Sequence, residues 1–116
     1  MPLPNRFDIL FSGERILVQY DPVTVRHGGR AHMQFFASVR GIALSISPTG
    51  YRSHVTSDEL VQQIGGPEPY AYAFCRAALR RIDERSVRDL EPTRRDILRE
   101  AGIIEPDPSE GQLGLF

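Results

Sequence analysis

Residues 31–39 read Ala-His-Met-Gln-Phe-Phe-Ala-Ser-Val, and this stretch decides the fold of the first half of the chain. Every second position is apolar: Ala31, Met33, Phe35, Ala37 and Val39. The positions between them are mostly polar: His32, Gln34, Phe36, Ser38 and Arg40. Successive side chains of a β-strand point to opposite faces, so the pattern predicts a long strand with one face in a core.

The same alternation continues toward the N-terminus. Apolar residues within 7–11 and 16–20 predict two earlier strands, with a turn at Ser12-Gly13 between them. The Gly28-Gly29 pair stands before the long strand and can supply the positive φ of a hairpin turn. The segment before residue 40 therefore predicts three antiparallel strands.

The alternation also continues toward the C-terminus. Ile42, Leu44 and Ile46 predict a further strand. Residues 47–50, Ser-Pro-Thr-Gly, have the composition of a β-turn, and residues 51–55 follow as a short strand. The whole first half predicts an antiparallel β-meander.

The period of the apolar residues changes after residue 55. Thr56 with Glu59 three residues later resembles a capping box, and it predicts a short helix that ends at Gly65-Gly66. A longer helix is predicted from about Glu68 to Glu84, because its apolar residues recur at helical spacing. These residues are Ala71, Phe74, Cys75, Ala78, Leu79 and Ile82.

Pro92, at a first-turn position, predicts the start of a third short helix that stops at Gly102. Strands followed by helices predict the α+β class, an antiparallel β-meander with two or three helices packed on one face. Residues 1–104 should form this single domain. Residues 105–116 are acidic and contain two prolines, which predicts a flexible C-terminal tail.

Composition limits the classes of function. The 116 residues carry a formal net charge of −1, so the molecule as a whole does not attract nucleic acid or anionic membrane strongly. The single cysteine excludes an intramolecular disulfide. Neither a membrane-spanning run nor a signal-peptide pattern is present, which predicts a cytoplasmic protein. The three histidines lack metal-ligand spacing and no phosphate-binding glycine loop is present, so we expect no metal and no cofactor.

The chain ends with Gln112-Leu113-Gly114-Leu115-Phe116. Apolar residues on a solvated acidic tail usually mark a binding site for a partner protein. These five residues resemble the pentapeptide by which bacterial polymerases and repair proteins bind the ring-shaped DNA sliding clamp (beta clamp), commonly Gln-Leu-Ser/Asp-Leu-Phe.

The resemblance implies a role for each position. Gln112 would be the polar anchor at the mouth of the clamp's pocket, Leu113 the first apolar anchor, and Leu115 with Phe116 the main anchors. Gly114 departs from the family pattern, because it replaces a small polar residue and adds flexibility. Two alternatives remain open: the tail folds back on the domain as a terminal strand, or it binds another peptide-binding partner.

Two further sets of residues are candidates for function. The arginines of the predicted helices could contact phosphates of nucleic acid, although interspersed acids favour a solvated surface with ion pairs such as Arg80 with Glu84. The arginines concerned are Arg76, Arg80, Arg81, Arg88 and Arg95. The second set is Tyr51, Arg52 and His54, a polar cluster beside the predicted turn, where His54 could act as acid or base. Surface hydrogen bonds that stabilise the turn are the alternative.

The sequence therefore predicts a non-enzymatic accessory protein that docks on the bacterial sliding clamp through residues 112–116. It would act in DNA replication or repair, or in a plasmid or phage system that exploits the host clamp. A nucleic-acid-binding module that uses the arginine-rich helices, and a small enzyme centred on Tyr51, Arg52 and His54, are the alternatives.

Overall fold

The computed structural model describes residues 5–39, 41–84 and 91–103. Within these ranges the strands are β1 (Asn5–Phe11), β2 (Glu14–Thr24), β3 (Arg30–Ala37) and β4 (Tyr51–Thr56). The helices are α1 (Asp58–Ile64), α2 (Pro67–Glu84) and α3 (Arg94–Glu100). This order confirms the predicted α+β class. The predicted tail, with its clamp-like residues, and Arg88 lie outside the described residues.

The sheet is an antiparallel meander in the order β1-β2-β3-β4, as the alternation predicts. Phe11 pairs with Glu14, so the turn between β1 and β2 is the two-residue loop Ser12-Gly13. Both loop residues have positive φ, 55° and 76°. This geometry is typical of the tight hairpin turns whose twist matches that of the adjoining strands.

The connection between β2 and β3 is less regular. The register of the β2–β3 pairing shifts between Asp21 and Thr24. Pro22 lies inside this shift, and because it has no backbone N–H it cannot donate to the ladder. A single 3-10 turn, Val25–His27, then leads into the predicted Gly28-Gly29 turn, in which both glycines have positive φ.

The core lies between one face of the sheet, here called the inner face, and the helices. Buried strand residues on the inner face are Ile9, Ile16, Val18, Tyr20, Ala31, Met33 and Phe35. Helix α2 contributes Tyr70, Ala71, Ala73, Phe74, Cys75, Ala77 and Ala78. The rings of Phe35 and Phe74 stack with their centroids 4.9 Å apart, and this contact seats α2 on the sheet.

Both predicted caps differ from the observed ones. The N-cap of α1 is Ser57 rather than Thr56, because the Ser57 side chain accepts the hydrogen bond from the Leu60 N–H. Thr56 is instead the last residue of β4. Helix α3 begins after Thr93, which forms a capping box with Asp96, so Pro92 precedes the cap instead of occupying the first turn.

The predicted strand at Ile42, Leu44 and Ile46 is wrong. These residues form turns with a single bridge between Leu44 and Ser47, and β3 ends at Ala37 instead of reaching Val39. Leu44 and Ile46 are nevertheless buried. The alternating apolar residues therefore mark side chains that contact the core. An irregular segment can bury side chains in this pattern without forming a strand.

Gly50 has to be glycine for a specific reason. Its φ is +79°, and a Cβ at this position would lie 2.3 Å from the carbonyl oxygen of Ile42. Gly41 has a similar φ, +83°, but a Cβ there would meet nothing within 4 Å. Alanine substitutions at Gly41 and Gly50 can therefore be compared: both have the cost of positive φ, and only the one at Gly50 adds a backbone clash.

We expect Gly50→Ala to lower the free energy of unfolding by about 3 kcal/mol and Gly41→Ala by about 1 kcal/mol. The larger loss follows from the clash with Ile42, since both variants carry the same cost of positive φ. Urea denaturation followed by circular dichroism measures both. Equal losses of free energy in the two variants would show that the clash between a Cβ at residue 50 and the Ile42 carbonyl adds no cost, which would contradict this explanation.

Candidate functional site

Strand β4 places three polar residues on the inner face of the sheet. Arg52 lies opposite Phe35, His54 opposite Met33 and Thr56 opposite Ala31. His54 and Thr56 are 5% and 6% exposed, so they sit in the core. Polar groups in such a place need partners, because an unpaired buried polar group is costly.

The imidazole of His54 has a partner on each nitrogen. Its Nδ1 lies 2.6 Å from the Glu91 carboxylate, and its Nε2 lies 2.8 Å from the Tyr70 hydroxyl. Tyr70 in turn donates a hydrogen bond of 2.9 Å to Thr56 Oγ1. The imidazole also lies against the Phe74 ring, with the centroids 4.3 Å apart.

Arg52 completes the cluster. One guanidinium nitrogen donates to Glu91 at 3.1 Å, and the other terminal nitrogen donates to the backbone carbonyl of Ile46 at 2.9 Å. The guanidinium carbon lies 5.3 Å from the centre of the Phe74 ring, within the range of a cation–π interaction. We call Arg52, His54, Thr56, Tyr70 and Glu91 the His54 network.

The network controls the charge state of two of its members. Burial raises the pKa of Glu91, but the hydrogen bonds and charges of His54 and Arg52 outweigh burial and hold this pKa below its ordinary value. Burial raises the pKa of Tyr70 to about 12. At neutral pH Glu91 is therefore an acceptor and Tyr70 remains a protonated donor.

The network joins three parts of the chain: β4, α2 and the residues just before α3. It also borders a cavity of about 320 Å³, whose lining includes His54, Thr56, Tyr70 and Glu91. The atoms that could act as a base are already engaged: both nitrogens of His54 are hydrogen-bonded, and each oxygen of Glu91 has a partner. The network itself is therefore suited to holding the fold around this cavity.

The structure separates the predicted polar cluster of Tyr51, Arg52 and His54. Because side chains alternate along β4, Tyr51 lies on the outer face, where its hydroxyl donates to Gln34 and its ring contacts Phe36. Arg52 and His54 share the inner face, and Glu91 joins them. Glu91 is 37 residues from His54, and no local pattern in the sequence marks it as a partner.

The predicted arginines of α2 form ion pairs across to α3. Arg76 and Arg80 lie 3.7 and 3.5 Å from the Glu100 carboxylate, and Arg81 lies 2.6 Å from Asp96. These carboxylates offset part of the positive charge that nucleic acid would require. Arg95 is exposed. The side chain of Glu84, the predicted partner of Arg80, lies outside the described residues.

No group of three or more His, Cys, Asp or Glu side chains in residues 5–39, 41–84 and 91–103 is arranged to hold a metal ion. Of the helices described, none combines the length and apolar character required to cross a bilayer.

We expect Glu91→Gln to lower the free energy of unfolding by about 2 kcal/mol near neutral pH, because it removes the carboxylate charge that pairs with Arg52, a side chain that is only 14% exposed. Asp8→Asn is the control. It breaks the Asp8–Arg15 pair, whose side chains are 45% and 68% exposed, and should cost less than about 0.5 kcal/mol. Urea denaturation measures both variants.

The pH dependence of the Glu91→Gln effect follows from the lowered pKa of Glu91. A carboxyl whose folded-state pKa is depressed stabilises the fold above its unfolded-state pKa, about 4.3 for Glu. The difference between wild type and Glu91→Gln should therefore be full above about pH 5 and shrink as pH falls through the folded-state pKa. A difference that does not change with pH would contradict the assigned role of the carboxylate.

The family model of the KlcB third domain matches residues 4–92 of the chain. No curated protein and no solved structure matches the chain significantly. The matched range contains β1 to β4, α1, α2 and every residue of the His54 network, and it covers more than half of the 116 residues. The chain belongs to the KlcB third-domain family.

Proposed function

We propose that this chain is an accessory protein of a plasmid-type mobile genetic element, and that it docks on the bacterial DNA sliding clamp through residues 112–116. Membership of the KlcB third-domain family supports the coarser part, since the family suggests a plasmid-associated accessory protein. The observation that carries the finer part is the sequence Gln-Leu-Gly-Leu-Phe itself.

The chemistry of the pentapeptide supports docking into an apolar pocket. Leu113, Leu115 and Phe116 supply three apolar side chains for burial, and the Gln112 amide supplies a donor and an acceptor that can orient the peptide. Glycine at position 114 loses more backbone freedom on binding than another residue would. The affinity should therefore be modest, roughly micromolar.

The tail and the folded domain have separable roles in this proposal. The pentapeptide lies outside the range that matches the family, whereas the His54 network lies within it, together with every residue of the cavity lining except Arg94 and Ile97. The peptide recruits the protein to DNA that is being replicated or repaired. The domain then brings its own binding function to that place.

The test is calorimetric titration of a purified bacterial sliding clamp with the full-length protein and with a version that ends at Gly111. We expect binding by the full-length protein only. Leu115→Ala and Phe116→Ala should each weaken it by about tenfold or more, as truncation of a central apolar anchor does. Gly114→Ser is the matched control: it restores the commoner pattern and should bind at least as tightly, because serine restricts the free peptide.

Thermal unfolding of the same two proteins separates recruitment from fold-back. Equal melting temperatures are expected if residues 112–116 serve a partner. A lower melting temperature for the version that ends at Gly111, together with no clamp binding by the full-length protein, would mean that the tail packs on its own domain.

A further inference from the structure

The cavity beside the His54 network has an unusual lining. Its volume is about 320 Å³, and its lining includes the junction between β4 and α1 and the first half of α3. Besides members of the network, the lining includes Arg30 at the start of β3, Ser57 at the N-cap of α1, and Arg94 at the start of α3. Five elements, β3, β4, α1, α2 and α3, therefore contribute to one cavity.

Two hydroxyl groups in this lining keep a proton to donate. Tyr70 donates to Thr56 Oγ1, and the Leu60 N–H donates to Ser57 Oγ, so each hydroxyl acts as an acceptor in its own contact. Among the described residues, neither hydroxyl donates in turn. Thr56 is more than nine-tenths buried, and a buried donor calls for an acceptor.

Two guanidinium groups add positive charge. Arg30 and Arg94 are exposed, and within the described part of the chain neither forms an ion pair with a carboxylate. The one carboxylate of the lining, Glu91, is bound by Arg52 and His54, so its charge is offset within the network. The donors that remain for a ligand are two guanidinium groups and two hydroxyls.

We propose that this cavity binds a phosphate dianion, either free or as the end group of a monoester. The unprotonated oxygens of a phosphate dianion only accept hydrogen bonds, and the spare groups of this lining can all donate. Arg30 and Arg94 would neutralise the two charges, since a guanidinium suits bidentate contacts to phosphate. Thr56 and Ser57 would contact the remaining oxygens, and Tyr70 positions Thr56 through its hydrogen bond. This site is independent of the clamp peptide.

The same chemistry could come from free inorganic phosphate or from the 5′-terminal phosphate of a DNA strand. The cavity volume lies near the lower limit of small-ligand sites, about 300 Å³, which suits one phosphate with part of a sugar. The interior of a DNA strand offers only phosphodiesters, each with a single charge, and these match two arginines less well.

The test is calorimetry of the full chain with sodium phosphate at constant ionic strength, supported by amide chemical-shift changes. We expect saturable binding, with shifts centred on residues 55–57 and 91–97. Arg30→Ala and Arg94→Ala should each weaken binding by about tenfold or more, the usual effect of removing a charged hydrogen-bond donor. Arg95→Ala is the matched control, an exposed neighbour that does not line the cavity, and it should change affinity less than about twofold.

Absence of saturable phosphate binding, or equal weakening by Arg94→Ala and Arg95→Ala, would overturn the proposal. A short single-stranded oligonucleotide with a 5′-phosphate, compared with the same strand bearing a 5′-hydroxyl, then identifies the source of the ligand. Tighter binding of the 5′-phosphorylated strand than of inorganic phosphate assigns a strand end, and weaker binding assigns free phosphate; both support the site. Equal affinity of the two strands, with both binding more tightly than inorganic phosphate, would also overturn it, because the phosphodiester backbone would then account for the binding.

Discussion

The contact between Phe74 and the inner face of the sheet is the interaction on which the rest of the structure depends. Phe74 stacks on Phe35, and the same ring lies 4.3 Å from the His54 imidazole and 5.3 Å from the Arg52 guanidinium. Residues one helical turn apart share a face, so seating Phe74 also brings Tyr70 onto the sheet. A four-stranded meander alone leaves its apolar face in water, and α2 covers that face through this contact.

The polar groups beside this contact are tolerated because they are paired. His54, Thr56 and Tyr70 are buried, and a chain of hydrogen bonds connects them to Glu91 and through it to Arg52. Such a network contributes little more stability than an apolar core would. Removing one partner is nevertheless strongly destabilising, because it leaves another buried polar group unpaired. Its effect here is geometric: it holds β4, α2 and the start of the α3 region in one arrangement around a cavity lined by donors.

The two binding functions that we propose involve different parts of this KlcB-family chain. The helices use Arg76, Arg80 and Arg81 mainly to hold α2 against α3, so a broad nucleic-acid surface has little spare charge there. The cavity instead concentrates Arg30 and Arg94 on one small space, which favours a compact anion over a long polyanion. The clamp-like pentapeptide, residues 112–116, is at the C-terminus of the sequence.

The alternation of residues 31–39, the Ser12-Gly13 turn and the helical spacing of Ala71, Phe74, Cys75 and Ala78 were sufficient to predict the meander, the helices and most of the core. These signals are local, because strand and helix periods repeat within a few residues. The same pattern gave a wrong strand prediction at residues 42–46, where the alternating apolar residues lie in turns that pack on the core. It also grouped Tyr51 with Arg52 and His54, although the pleat of β4 sends Tyr51 to the opposite face. The sequence by itself determined the class of fold and the composition of the C-terminal peptide. Only the tertiary structure decided that Glu91 meets His54, and that Arg30, Thr56 and Arg94 line one cavity. Those contacts depend on how α2 packs on the sheet and how α3 packs on α2.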